Sequence, residues 1–153
     1  MARVFLTAAL LTILATFAAC GGDPEEKSGP DAYRDQATAM PLGEWVAGDL
    51  DVDGGDRTDW MSFEAPSEGK LLVEFNADKK GAAVLVSVYD RYGMLLGSVT
   101  RPAGSDEPVK VSVDAKRDGR HFIMIQQKSG DATAYSVKAS TGSDAGGVPT
   151  PDF

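Results

Sequence analysis

The chain has 153 residues, a formal net charge of −8 at pH 7, one cysteine and one histidine. About 100 residues remain between the terminal segments described below, which is enough for one domain with a single modest core. The acidic balance argues against nucleic-acid binding, which needs clustered Lys and Arg, and against docking of the folded surface on anionic lipid. The single cysteine excludes an intrachain disulfide.

Residues 1–19 have the order of regions that is typical of a secretory signal. A short positive start, Met1–Arg3, is followed by the uncharged apolar run Val4–Phe17 and by two alanines before Cys20. The run is shorter than the roughly 18–20 apolar residues that a membrane-spanning helix needs. Because the cysteine stands at the cleavage point, the segment resembles a bacterial lipoprotein signal. The alternative is an ordinary signal followed by a chance cysteine.

The lipoprotein resemblance implies that Cys20 is lipidated and becomes the first mature residue, so that the lipid holds the protein in the cell envelope. Several acyl chains anchor a protein stably, whereas one chain gives marginal binding. Gly21, rather than Asp, follows the cysteine. The sorting rule of such lipoproteins then favours the outer membrane, with the periplasmic or surface face left open.

The segments on either side of the body are rich in Gly, Pro, Ser and acidic residues and lack apolar periodicity. Residues 20–39 are therefore predicted to be a lipidated flexible tether, and residues 141–153 a disordered tail. The tail ends in Phe153, which a partner that reads C-terminal carboxylates would capture. The alternative for this end is simple fraying.

The sequence between these segments is typical of β-structure. Val109–Val113 alternates three valines with polar residues, and a similar period of two recurs along the chain. The clearest predicted strands are residues 70–75, 83–89, 109–113, 120–127 and 134–139, separated by turn-forming residues. This spacing predicts an all-β fold over residues 40–140, an antiparallel, jelly-roll-like β-sandwich of about 7–9 short strands.

The order of these segments resembles the bacterial pre-peptidase C-terminal domain. That family opens with a Gly-x-Leu strand, an Asp-containing turn and an aromatic-rich strand, which Gly48–Leu50 and Gly55–Phe63 match. Its hairpin of an apolar strand, Asp, two residues, Gly and further apolar residues is matched by Val86–Leu96. The other matching segments are Gly69–Val73, Gly119–Ile125 and Tyr135–Ala139, and the resemblance covers about Leu42 to Ser140.

The resemblance to this family implies a β-sandwich that acts as a processing, binding or solubility module and has no catalytic activity of its own. Such domains are often appended to secreted proteases and other exported enzymes. For this chain the resemblance implies an accessory domain carried on a lipid anchor.

The most unusual local sequence runs from position 49 to position 59 and holds five aspartates. Ca²⁺ takes several hard oxygen ligands, and a glycine turn lets them converge, so the candidate ligands are Asp49, Asp51, Asp53, Asp56 and Asp59. Trp60 stands where an EF-hand loop has a bidentate Glu, so the segment is not an EF-hand. The alternative is the polar outer face of a strand that leads into an Asp/Gly turn. Some relatives of this fold do bind calcium near the start of the domain.

The sequence lacks the usual signatures of catalysis. His121 is the sole histidine, and no Ser–His–Asp or Cys–His set can be assembled around it. Gly54 and Gly55 precede an acidic residue that would repel phosphate. Carboxylates are abundant, but a small sandwich offers little cleft for a paired-carboxylate hydrolase. We therefore expect a protein that is not an enzyme and requires no cofactor.

Aromatic side chains are the remaining candidates for binding: Trp45 and Tyr92 are candidate binding residues, and Tyr92, in its turn, is the best candidate for an exposed ring. The first functional hypothesis is a lipid-anchored accessory subunit that binds other envelope proteins, which requires an exposed sheet edge or apolar patch. The alternative is a surface glycan- or matrix-binding module with calcium as an optional cofactor. That alternative requires at least two coplanar exposed rings, because sugars bind on aromatic platforms.

Overall fold

The computed structural model describes residues 23–116 and 119–142. These residues form two 3₁₀ helices, Gly29–Asp31 and Arg34–Gln36, and nine strands. The strands are β1 (Thr38–Ala39), β2 (Val46–Leu50), β3 (Thr58–Ala65), β4 (Gly69–Ala77), β5 (Ala83–Tyr89), β6 (Leu95–Arg101), β7 (Val109–Ala115), β8 (Gly119–Ser129) and β9 (Thr133–Thr141). The signal segment, Cys20 and Phe153 lie outside the described residues. No helix in the described part of the chain is long and apolar enough to cross a membrane.

The strands form two sheets that enclose one core. The order is β1-β3-β8-β5-β6 in the five-stranded sheet and β2-β9-β4-β7 in the four-stranded sheet. Neighbouring strands pair in the antiparallel direction, except β1 and β3, which are parallel. The edge strands β6 and β7 also contact each other, and close one side of the sandwich. The all-β sandwich predicted from the sequence is thus confirmed.

The core lies between the sheets and follows the period of two along each strand. In β7, Val111 and Val113 are buried, whereas the residues that alternate with them, Lys110, Ser112 and Asp114, are exposed. Each fully buried Val or Ile contributes roughly 1.5–3 kcal/mol relative to an exposed position. The apolar side chains with no exposed surface are Phe75, Ala82, Val84, Val86, Val88, Ile123, Ile125, Val137 and Ala139.

A polar contact links the two sheets inside this core. The Tyr135 hydroxyl of β9 donates a hydrogen bond to Asp59 Oδ2 of β3 at 2.5 Å. Gly48 of β2 leaves room for the tyrosine ring, since a Cβ at this position would lie 2.4 Å from it. The ring also lies 5.6 Å from the ring of Phe75, measured between centroids. The sandwich is therefore held by a buried hydrogen bond as well as by apolar packing.

Residues 23–39, which the sequence assigned to the flexible tether, lie against the sandwich in the structure. The buried hydroxyl of Ser28 accepts hydrogen bonds from the backbone N–H groups of Arg57 and Thr58 at 3.0 and 3.2 Å. Ala32 is buried, and β1 extends the edge of the five-stranded sheet. The composition did not predict this attachment, because the segment is held by hydrogen bonds and one small apolar side chain. Such contacts leave no periodic apolar pattern in the sequence.

Arg101, at the end of β6, is a completely buried cation. Its guanidinium donates to the backbone carbonyl oxygens of Lys79 at 3.1 Å and Ala82 at 2.9 Å, and also to that of Ser105. Its two Nη groups are satisfied by backbone carbonyl groups, that of Ala77 at 3.3 Å included, whereas its buried Nε has no hydrogen-bond partner among the described residues. Arg101 therefore fixes the β4–β5 connection against the chain that follows β6.

Candidate functional site

A cleft of about 420 Å³ lies at the end of the sandwich where β5 turns into β6. Its lining residues are Asp90, Arg91, Tyr92, Met94, Leu96, Lys116, Arg120 and His121. They come from the β5–β6 turn, the start of β6, the residue after β7 and the start of β8. The antiparallel register of β5 and β8, which pairs Tyr89 with Phe122, brings the turn beside the start of β8. We refer to this site as the β5–β6 cleft.

The β5–β6 turn is held in a fixed shape by Asp90. One carboxylate oxygen, Oδ1, accepts the backbone N–H groups of Tyr92 at 2.9 Å and Met94 at 2.8 Å. Gly93 has a φ of 86°, a left-handed conformation that side-chain-bearing residues rarely adopt. Asp side chains commonly bond their own backbone in this way at turns. The acidic residue of the cleft thus stabilises the turn.

The turn displays large apolar side chains to solvent. Tyr92, Met94 and Leu95 are 69%, 55% and 53% exposed. We call these three residues the apolar patch. The prediction that Tyr92 is exposed is confirmed by this arrangement, whereas Met94 and Leu95 were not singled out from the sequence. Their signal was weak because an apolar pair at the start of a strand is also what a core strand shows.

Cationic side chains surround the patch. The Arg91 guanidinium carbon lies 4.9 Å from the centroid of the Tyr92 ring, and its Nη2 donates to the tyrosine hydroxyl at 2.9 Å. Arg120 pairs with Glu64 at 3.1 Å, and both side chains are largely exposed. Lys116 completes the lining. An excess of positive charge therefore surrounds this cleft although the chain as a whole carries a net charge of −8.

His121 lies at the inner wall of the cleft and is only 4% exposed. Its Nδ1 is 2.9 Å from the carbonyl oxygen of Gly119, and its ring stacks on Phe63 with 5.8 Å between centroids. These contacts use the imidazole for packing at the end of the strand. They do not place it against a nucleophile, as a catalytic dyad would require.

Trp45 lies just before β2 on the four-stranded sheet and is 52% exposed. The Nζ of Lys138 is 5.0 Å from its ring centroid, which is a cation–π distance. Lys138 and Lys110 both pair with Glu74, at 2.9 and 2.6 Å, and lower the pKa of that carboxyl by hydrogen bonding. This sheet face therefore carries a row of paired charges, and Trp45 ends the row.

The five candidate calcium ligands do not converge in the structure. Asp49 and Asp53 are exposed, whereas Asp51 Oδ1 accepts the backbone N–H of Gly54 at 2.9 Å. Strand β2 ends at Leu50, and the Asp51–Asp56 bridge closes the turn that follows. Within residues 23–116 and 119–142, no group of three or more Asp, Glu, His or Cys side chains is arranged to hold a metal ion.

Asp59, the last member of this run, faces the core. Burial raises its pKa to about 7, and the hydrogen bond from Tyr135 offsets part of that rise. Asp31, Asp56 and Asp49 repel its charge and raise the pKa further. The pKa of Asp56 is also raised, first by burial and then by neighbouring carboxylates. The aspartate-rich run is thus divided between the surface and the core.

The comparisons with known proteins concern the fold. No protein-family model matches the sequence, and no curated protein matches it. Among solved structures, the pre-peptidase C-terminal domain of collagenase from Bacillus anthracis is similar, with 16% identity, 67% of this chain and 93% of that chain covered, and a TM-score of 0.55.

CorA, a surface-associated copper-binding protein of Methylomicrobium album BG8, is similar at 7% identity, with 69% of this chain and 98% of that chain covered and a TM-score of 0.53. Such identities show a common fold alone. The described part of this chain therefore has a β-sandwich fold similar to that of a pre-peptidase C-terminal domain, as the sequence resemblance implied.

Proposed function

We propose that the protein is a non-catalytic, lipid-anchored binding module of the cell envelope that acts as an accessory subunit by holding another envelope protein. The lipid on Cys20 places the sandwich at a membrane, with the outer membrane favoured. The observation that carries the proposal is the apolar patch of Tyr92, Met94 and Leu95 beside the β5–β6 cleft.

Clustering makes the apolar patch informative. Five large hydrophobic side chains of the described residues are strongly exposed, and three of them fall within four consecutive positions, 92–95. Single exposed apolar residues are common on soluble domains, whereas a contiguous exposed patch rimmed by polar groups is typical of an interaction site. Tyr and Arg, both present here, are enriched where proteins meet.

A protein partner fits the exposed rings better than a glycan. Trp45 belongs to the four-stranded sheet and Tyr92 to the β5–β6 turn of the other sheet, so the two rings do not form one platform. The Arg91 guanidinium already covers one face of the Tyr92 ring. Glycan binding therefore remains the competing function that the experiment below must separate.

Site-directed photo-crosslinking tests the protein-binding function. A photoreactive amino acid at position 94, introduced into the lipidated protein in its native membrane, is expected to give one discrete protein adduct. The same probe at position 112, an exposed site on β7, is the matched control and is expected to give none. Adding Tyr92→Ser should suppress the adduct. Identical adducts from both positions, or none from position 94, would contradict the proposal, and retention on envelope polysaccharide would favour glycan binding.

Fractionation tests the anchor. Cys20→Ser is expected to move the protein from the membrane fraction to the soluble fraction, because the thiol that carries the lipid is removed. The intact mass of the wild-type mature protein should exceed the mass of residues 20–153 by that of the acyl groups. A mature wild-type mass equal to that of residues 20–153 without acyl groups would contradict lipid anchoring.

A further inference from the structure

We propose that the β5–β6 cleft recognises an acidic segment of its partner protein, in which an aromatic or aliphatic side chain is flanked by carboxylates. The inference rests on the proposed protein-binding function and adds the chemistry of the segment that is bound. It is carried by the combination of an apolar cavity and cations around it in an otherwise acidic chain.

The cavity has the size and lining for one anchoring side chain. A volume of about 420 Å³ lies within the roughly 300–1,000 Å³ that is typical of ligand sites. Tyr92, Met94 and Leu96 provide the apolar walls. A methionine can repack around side chains of different shapes, which suits an aromatic or an aliphatic anchor. An anchor of this kind removes apolar surface from water on both partners.

The charges around the cavity determine which residues of the partner can lie beside its anchoring side chain. Arg91, Lys116 and Arg120 line it; among the described lining residues Asp90 is the acidic one, and Glu64 pairs with Arg120. One carboxylate oxygen of Asp90 accepts hydrogen bonds from two backbone N–H groups of the turn. Glu64 is exposed in its pair with Arg120. Exposed pairs of this kind are worth little and exchange readily for a better carboxylate. Carboxylates on a partner would therefore find donors already in place.

The shape of the site favours a peptide over a membrane surface. Arg91, Lys116 and Arg120 line a cleft of about 420 Å³ whose apolar walls a single peptide side chain can fill. The net charge of −8 also opposes the approach of the domain to anionic lipid. A cleft with a charged rim is the arrangement that peptide-recognition sites use, with pockets for side chains and rim charges that set specificity.

Fluorescence anisotropy with the purified full-length protein tests the inference. The probe is a short labelled peptide with one Phe flanked on each side by Asp residues. Two matched peptides replace either the Asp residues by Asn or the Phe by Ala. The acidic Phe peptide is expected to bind at least about tenfold more tightly than either one, a difference of about 1.4 kcal/mol. Its affinity should fall as the salt concentration rises, because rim charges are screened.

Charge reversal locates the binding. Arg91→Glu and Lys116→Glu should each lower the affinity for the acidic peptide by about fivefold or more. In each variant a repulsive charge replaces an attractive one at the rim of the cleft. Lys128→Glu, on the far end of β8, is the matched control and is expected to leave the affinity within twofold. Thermal unfolding of each variant confirms that the fold is kept. Equal binding of the Asn peptide, or equal loss in the Lys128 variant, would overturn the inference.

The outcomes separate this inference from the proposed function. A discrete crosslink at position 94 without acidic-peptide binding would retain the protein-binding function and overturn the acidic-segment inference. Peptide binding with no crosslink in the membrane would support the inference and contradict the accessory-subunit role. Co-sedimentation with vesicles that contain anionic phospholipid, lost in Tyr92→Ser and unaccompanied by peptide binding, would assign the cleft to a membrane and overturn the inference.

Discussion

Two turns of the sandwich use the same local chemistry and end in different environments. In the β2–β3 connection, residues 51–57, Asp51 accepts the backbone N–H of Gly54. In the β5–β6 turn, Asp90 accepts two backbone N–H groups in a similar way. The first turn is held by Ser28 and leads to a carboxylate inside the core, whereas the second projects an apolar patch into solvent. The comparison teaches that distant residues, more than the turn motif, decide what a turn is used for.

The largest expected effect concerns the carboxylate that the first turn delivers to the core. The pKa of Asp59 is raised from 3.8 to about 7 in the folded protein. Between these two pH values the folded state binds more protons than the unfolded state, so this group makes the free energy of unfolding fall as pH rises. The fall is at most on the order of 4 kcal/mol, since a tenfold difference in proton affinity between the two states corresponds to about 1.36 kcal/mol.

Asp59→Asn is expected to remove this pH dependence and to raise stability above pH 7. The amide oxygen still accepts the Tyr135 hydroxyl, but no charge has to be buried. Urea denaturation from pH 4 to pH 8 measures the effect, and Asp53→Asn, at an exposed position of the same run, serves as the control. Parallel pH profiles for Asp59→Asn and the wild type would show that burial of Asp59 does not make the free energy of unfolding depend on pH.

The next effect concerns the contact that covers the first turn. Ser28→Ala removes the acceptor of the Arg57 and Thr58 N–H groups. We expect a loss of about 1–3 kcal/mol in the free energy of unfolding, because buried donors left without an acceptor retain their desolvation cost. Amide hydrogen exchange should become faster at these two positions. Ser67→Ala, at an exposed site, should change neither quantity, and unchanged exchange in Ser28→Ala would contradict the attachment of residues 23–39.

A direct test of the shared turn chemistry compares Asp90→Ala with Asp51→Ala. Asp90 holds two backbone N–H groups and Asp51 holds one. Each such bond contributes about 0.5–1.5 kcal/mol, so Asp90→Ala should cost more than Asp51→Ala in denaturant unfolding. Asp90→Asn, which keeps an acceptor oxygen, should recover part of the loss. A larger cost at Asp51 would reverse this part of the comparison.

Local sequence predicted the strands well and the site only in part, and β3 shows why. In β3, which the sequence indicated only through the family resemblance, Asp59 lies on the same face as Met61 and Phe63, a signal that the calcium hypothesis set aside. By contrast, Tyr92 and Arg120 are distant in the sequence and line the same cleft only because β5 pairs with β8. The contacts of residues 23–39 consist of the short strand β1, the buried Ala32 and the hydrogen bonds that Ser28 accepts. Pairing register and isolated contacts of this kind leave no periodic trace in a sequence.

The smallest expected effect on stability distinguishes the second turn most clearly from the first. Tyr92 is 69% exposed and packs chiefly against the Arg91 guanidinium, so Tyr92→Ser should change the free energy of unfolding by no more than about 0.5 kcal/mol. The same substitution should abolish the crosslink at position 94, because it removes the largest side chain of the apolar patch. Thermal unfolding and crosslinking on one preparation measure both. A substantial loss of stability would mean that the ring supports the fold as Ser28 does, and that the contrast between the two turns does not hold.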